Sequence, residues 1–164
     1  MRFVKETLIK ADVKRVFGFH RKKDILERLM PPGENVKVIQ PPTSLEKGSR
    51  VIFEVKILGL VPVQWVAEHT AYDPPHMFED TQVSGPFSRW RHRHMFIQHE
   101  KGTVLRDEIE FDPPLWPLGE IGAPFFALPN IRKMFDHRHD VTKEWCEGDE
   151  DLDHDDEEEK DREK

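Results

Sequence analysis

Residues 87–112 read Phe-Ser-Arg-Trp-Arg-His-Arg-His-Met-Phe-Ile-Gln-His-Glu-Lys-Gly-Thr-Val-Leu-Arg-Asp-Glu-Ile-Glu-Phe-Asp, and their alternation decides the fold. Arg89, Arg91 and Arg93 interleave with Trp90, His92 and His94, a period of two that suits a strand with one face in water and one face inward. Leu105, Asp107, Ile109 and Phe111 repeat the pattern after Lys101-Gly102, which has turn chemistry. The stretch predicts an antiparallel hairpin with Trp90, His92, His94 and Phe96 on the inner face of one strand.

Upstream, the same alternation predicts strands over 36–40, 50–58, 62–72 and 76–83, separated by Lys47-Gly48, Gly59, Asp73-Pro74-Pro75 and Ser84-Gly85-Pro86. Breaks this short favour an antiparallel meander. A first strand is predicted over 2–9, then a short helix capped by Asp12 over 13–19, and a second over 22–29 that stops at Pro31-Pro32-Gly33. Residues 130–145 place Ile131, Met134, Phe135, Arg138, Val141, Thr142 and Trp145 on one helical face, with Pro129 near the start. His137 and His139 are read as diverging surface residues. Strand, two helices, six strands, long helix is not the alternation a doubly wound sheet needs. It predicts an α+β fold in which a curved seven-stranded antiparallel sheet grips the C-terminal helix and encloses a ligand-sized cavity.

The chain has 164 residues and a net charge of −7. Residues 146–164 hold 12 Asp/Glu and 3 Lys/Arg, which leaves +2 for residues 1–145. One folded domain over 1–145 and a disordered acidic tail over 146–164 are expected, since such a run repels itself and has little apolar area to bury. The tail could also meet a basic protein partner. Cys146 is the only cysteine, which excludes an internal disulfide. No apolar run is long enough to span a bilayer, and no signal peptide is read at residues 1–6. A cytoplasmic protein without membrane insertion is expected. Phosphate-loop, dinucleotide, HExxH and GxSxG sequences are all missing, and no cofactor is expected.

Turn lengths propose a register. A two-residue loop at Lys101-Gly102 sets Phe96 opposite Asp107 and His94 opposite Ile109. A three-residue loop at 84–86 sets Trp90 opposite Asp80 and His92 opposite Phe78. The break at 73–76 sets His69 opposite Asp80. On the outer face this register aligns Arg91 and Arg93 with Glu79, Glu110 and Asp112, so the arginines are read as a paired sheet face rather than a nucleic-acid stripe.

The inner face then carries a His69–Asp80–His92 row and a separate His94–Asp107 pair. Buried polar groups of this kind need partners. They could form a structural network with water, orient a ligand, or move protons, with His69, Asp80 and His92 as the candidate catalytic set. Metal binding is not expected, because His92 and His94 lack an evident third ligand. Trp65, Phe78, Gln82, Trp90, His94, Phe96, Asp107, Ile109 and Phe125 are the candidate ligand-binding residues.

The segments Asp12…Val16-Phe17-Gly18-Phe19-His20, Trp65…Glu68-His69, Phe78-Glu79-Asp80-Thr81-Gln82, Gly85-Pro86-Phe87, Trp90 to Phe96, Gly102-Thr103…Asp107 and Phe135-Asp136-His137-Arg138 together resemble the SRPBCC superfamily, the START, polyketide cyclase/dehydrase and plant-allergen-like group. The resemblance covers about residues 2–145. It implies the helix-grip fold, with two short helices closing one end over a hydrophobic cavity, and a hydrophobic or amphipathic small-molecule ligand. It fixes no chemistry, because this fold hosts carriers, cyclases and partner-binding domains alike. Three functions stand open: a binder of a lipid- or polyketide-like molecule, a cyclase, dehydratase or isomerase using a His–Asp pair, and an interaction module acting through the acidic tail.

Overall fold

A computed structural model describes residues 1–34, 36–57, 59–112 and 123–148, with Ile57 and residues 123–127 described through their backbone alone. The side chain of Phe125 and the acidic residues 149–164 therefore lie outside the described residues.

The elements are β1 (Arg2–Ile9), α1 (Val13–Phe19), α2 (Ile25–Arg28), β2 (Val36–Gln40), β3 (Arg50–Ile57), β4 (Val61–Asp73), β5 (Met77–Ser84), β6 (Arg89–His99), β7 (Gly102–Asp112) and α3 (Ala123–Glu147). The strands form one antiparallel sheet in the order β1-β7-β6-β5-β4-β3-β2. This is the expected helix-grip architecture. Asp12 caps α1 as expected, its carboxylate accepting from the Lys14 N–H at 2.8 Å.

Two packed regions hold the sheet to its helices. Phe78, Phe96 and Leu105 pack with Ile9, Val16, Phe17 and Phe19 of the α1 region. Trp90, Ile109 and Phe111 pack with Ile131 and Phe135 of α3. Burial of each such side chain contributes roughly 1.5–3 kcal/mol. The polar inner-face residues lie on the same strands between these two regions.

α3 differs from the expectation at both ends. It begins at Ala123, so Pro129 sits inside it. It also continues past residue 145: Cys146 is buried in the α1 core, and Arg15 donates to the carbonyls of Cys146 (2.9 Å) and Gly148 (2.7 Å). The packed body reaches Gly148 because these backbone acceptors and the Cys146 side chain are tied to α1.

The register is corrected by two residues in two hairpins. The β6–β7 turn is Glu100-Lys101, with His99 opposite Gly102, which makes His94 the partner of Asp107 and Phe96 the partner of Leu105. Gly102 serves packing: an added Cβ would run into the carbonyl of Ile9 and the backbone of Lys10. Between β5 and β6 the connection is Gly85 to Ser88, which makes Asp80 the partner of His92 and Phe78 the partner of His94. Gln82 stabilises this longer loop, donating to the Phe87 carbonyl at 2.6 Å and accepting from its N–H at 3.3 Å. A Cβ at Gly85 would stand 2.6 Å from Gln82 Oε1 and 2.7 Å from Trp65 Cδ1. A shift of two preserves which face each side chain occupies, so the inner and outer sets stand. The His69–Asp80 pairing is as expected.

Candidate functional site

On β6 the inner residues His92 and His94 are buried, and the neighbouring strands bring a carboxylate to each side of them: Asp80 on β5 and Asp107 on β7. His92 Nε2–H donates to Asp107 Oδ1 at 3.0 Å, and its Nδ1 is 3.3 Å from Asp80 Oδ2. His94 Nε2 is 3.7 Å from the same Asp80 oxygen. His94 Nδ1 lies 2.8 Å from Asp107 Oδ1 without hydrogen-bond geometry. The two rings are 3.8 Å apart, and His94 stacks on Phe78 at 4.0 Å. The corrected register thus fuses the expected His69–Asp80–His92 row and His94–Asp107 pair into one cluster.

α3 adds a residue that the sequence reading placed on the surface. His139 is completely buried; its Nε2–H donates to Asp107 Oδ2 at 2.8 Å and its Nδ1 is 2.8 Å from Thr7 Oγ1 on β1. The signal was available, because His139 follows Phe135 by four and precedes Thr142 by three, which puts it on the inward stripe. His20 was also missed as part of this interior. Its Nδ1–H donates to the Val16 carbonyl at 2.9 Å, and its ring centroid is 6.0 Å from that of His94.

The electrostatics follow from burial and partners. Burial by itself would raise Asp80 and Asp107. For Asp80, the adjoining imidazoles of His92 and then His94 override burial and hold the carboxyl below its ordinary range. For Asp107, the charge of His94 and the hydrogen bonds from His139 and His92 hold it well below. Burial would lower His92, but its two carboxylate partners prevail and push it up to about 9. Burial, helped by His94, lowers His20 to about 4, and burial lowers His69 despite the nearby Asp80. Burial also lowers Arg138, opposed by Asp107 and Asp80.

Among the described residues, four buried side-chain polar atoms lack a hydrogen-bond partner: Trp65 Nε1, His69 Nδ1, Arg138 Nε and His94 Nδ1, the last in charge contact with Asp107. Trp65 meets Trp90, Phe87 and Phe53 at centroid distances of 5.0, 5.7 and 5.9 Å.

Several expected site residues are occupied otherwise. Gln82 is committed to the Phe87 backbone, so it orients a loop rather than a ligand. Phe78, Phe96 and Ile109 are packed core residues, because α1 and α3 close onto them. Of two concavities described, one of about 340 Å³ lies along Val36, Lys37, Glu54 and Lys56, and one of about 400 Å³ lies between β1 and α3 at Phe3, Val4, Leu128 and Asp136. Both are open, and neither is lined by the His/Asp cluster. The expectation that metal binding lacks a third ligand also fails: among the described residues Asp80, His92 and His94 each offer a ligand atom within 4.8 Å of the others, because Asp80 stands opposite His92.

With this geometry in place, residues 30–145 match the family described as Domain of unknown function (DUF8410). The chain belongs to that family. A search of the curated proteins gives no match for this DUF8410 chain. Among solved structures it is similar to the di-domain ARO/CYC BexL from the BE-7585A biosynthetic pathway, at 16% identity and a TM-score of 0.69, over 92% of this chain and 51% of BexL. It is similar to protein Ms6760 from Mycobacterium smegmatis at 15% identity and a TM-score of 0.67, over 93% of this chain and 92% of that one. A nucleoside-diphosphate sugar epimerase from Corynebacterium glutamicum matches at 21% identity and a TM-score of 0.66, over 87% of this chain; the DUF8410 chain spans only 28% of the epimerase. These likenesses establish the fold, the helix-grip fold of SRPBCC proteins, which the chain shares with the structurally similar Ara h 8.0201. Among the described residues, no helix is long and apolar enough to cross a membrane.

Proposed function

We propose that this DUF8410 chain binds an amphipathic, lipid- or polyketide-like small molecule between the sheet and α3. The observation that carries the reading is the set of buried polar atoms without a hydrogen-bond partner beside an aromatic wall: Trp65 Nε1, His69 Nδ1 and Arg138 Nε. Each such atom costs about 1–3 kcal/mol unless something completes its hydrogen bonding. A polar head group supplies those partners, and Trp65, Phe87, Trp90 and Phe53 supply the apolar contact. The ARO/CYC and plant-allergen-like neighbours lend the fold-level analogy.

Titration with palmitate and with the aromatic polyketide emodin, read by tryptophan fluorescence and native mass spectrometry, tests this. A saturable 1:1 adduct that weakens in Trp65→Leu and His69→Leu supports it. The reading fails if neither probe gives an adduct, or if both bind the two variants as well as the parent chain.

One observation favours a second reading, acid/base catalysis. His69 has a lowered pKa and a free Nδ1, and it stands opposite Asp80, so at neutral pH it can accept a proton. His92, held protonated between two carboxylates, is the poorer base. Under this reading His69→Gln abolishes turnover of a carbonyl substrate without lowering Tm, whereas unchanged turnover removes His69 from the chemistry.

A further inference from the structure

The inner-face cluster has the donor set and the supporting shell of a transition-metal site. We propose that Asp80 Oδ2, His92 Nδ1 and His94 Nε2 bind one divalent ion of the zinc or cobalt class, which displaces the His92 Nδ1 proton to solvent, with Asp107 as the carboxylate that orients both imidazoles. The inference is independent of the small-molecule reading above.

Three features carry it. The first is spacing. Metal–ligand bonds of about 2.0–2.1 Å at tetrahedral angles place donor atoms roughly 3.3 Å apart. His92 Nδ1 and His94 Nε2 stand 3.3 and 3.7 Å from Asp80 Oδ2, and each of the three residues offers a ligand atom within 4.8 Å of the others. Small rotations about the side-chain torsions close the remainder.

The second is the outer shell. A metal-bound histidine commonly donates its other ring N–H to a carboxylate, which fixes the ring and raises its basicity. His92 Nε2–H donates to Asp107 at 3.0 Å, and His94 Nδ1 lies 2.8 Å from the same oxygen. Asp107 is itself held from the other side by His139 at 2.8 Å, which Thr7 positions in turn. The rings that bear the ligand atoms therefore share one anchored carboxylate.

The third is charge and composition. A buried carboxylate, Asp107, and a half-buried one, Asp80, stand among imidazoles, and Arg138, with its Nε unpartnered, is a nearby fixed cation. Two imidazole nitrogens and one carboxylate oxygen suit zinc, cobalt or iron rather than calcium or magnesium, which prefer all-oxygen shells. A fourth coordination position remains for water or for His69, whose Nδ1 is unpartnered and which pairs with Asp80 across β4 and β5.

The test uses the full chain, stripped by chelation and titrated with Co²⁺. One equivalent should bind, with the intense visible bands of a four-coordinate ion, and Zn²⁺ should displace it and raise Tm. Asp80→Asn and His94→Gln should remove the bands, and Asp107→Asn, a positioning change, should weaken binding by about 10–100-fold. Where a variant loses its native circular dichroism, the parent chain supplies the readout: bound Co²⁺ should give paramagnetically shifted imidazole N–H resonances from two rings. The proposal is overturned if no saturable binding occurs, if binding survives both ligand variants with its bands intact, or if no shifted imidazole N–H signals are seen. Palmitate binding by the stripped chain together with absent Co²⁺ binding would remove this site and leave the small-molecule reading standing.

Discussion

The two faces of β5, β6 and β7 carry opposite charges in similar patterns, and depth makes them different objects. Outside, Glu79 accepts from Arg91 Nε at 2.7 Å, from Arg93 Nε at 2.9 Å and from Thr70 Oγ1 at 2.9 Å, while Arg89 pairs with Asp112 at 2.9 Å. The arginines keep contact with water, so these links resemble ordinary surface pairs of small net value. Inside, Asp107 is buried and Asp80 half-buried, so their histidines must complete most of the bonding that water would give. Alternation along a strand thus makes one charge pattern a solvated ladder and the other a demanding polar core.

The largest expected break in that contrast is Asp107→Ala, which leaves the His92 and His139 N–H groups buried without acceptors. It should cost about 3–5 kcal/mol, read from urea unfolding at neutral pH. A loss below 1 kcal/mol would mean that water already serves the cluster.

The pH dependence of metal-free protein sharpens the contrast next. His20 has a folded pKa of about 4, below the ordinary 6.5, so its contribution is complete above 6.5 and is lost as pH falls towards 4. His92, raised to about 9, contributes fully below 6.5 and loses that contribution as pH rises through 9. It is faced by Asp80 on β5, His94 on β6 and Asp107 on β7, with His69 on β4 acting on it by charge and His139 on α3 sharing Asp107. Urea midpoints should therefore peak near pH 6.5, and His20→Phe should flatten the acidic limb alone.

Thr7→Val removes one neutral hydrogen bond at the rim of the cluster and should cost about 0.5–1.5 kcal/mol. The smallest effect belongs to the outer face. Arg89→Ala should change stability by about 0.2–1 kcal/mol, and the difference should vanish in 1 M salt, where screening acts within ~3 Å. A larger, salt-insensitive loss would show that the outer ladder is not a surface feature.

Much of this was legible in the sequence for reasons that are local. Strand alternation identified which of Arg89 to Phe96 face inward, and helical spacing placed Phe135 and Thr142 on the core side of α3. His139 belonged to the same stripe and was misread because only its neighbour His137 was weighed beside it. The cross-strand partners were less accessible. Lys101-Gly102 has the chemistry of a turn, yet Gly102 is required by the backbone of Ile9 and Lys10, nearly a hundred residues away in sequence. Gln82 read as an inward polar residue and instead holds the loop that resets the β5–β6 register.

By itself the sequence determined element order, the helix-grip architecture and the face that each strand residue occupies, because these depend on periodicity and turn composition over a few residues. Tertiary structure alone decided that Asp80, His92, His94, Asp107 and His139 form one cluster. Face survives a two-residue slip in register, whereas the identity of a cross-strand partner does not, and only contacts between distant segments could fix the slip.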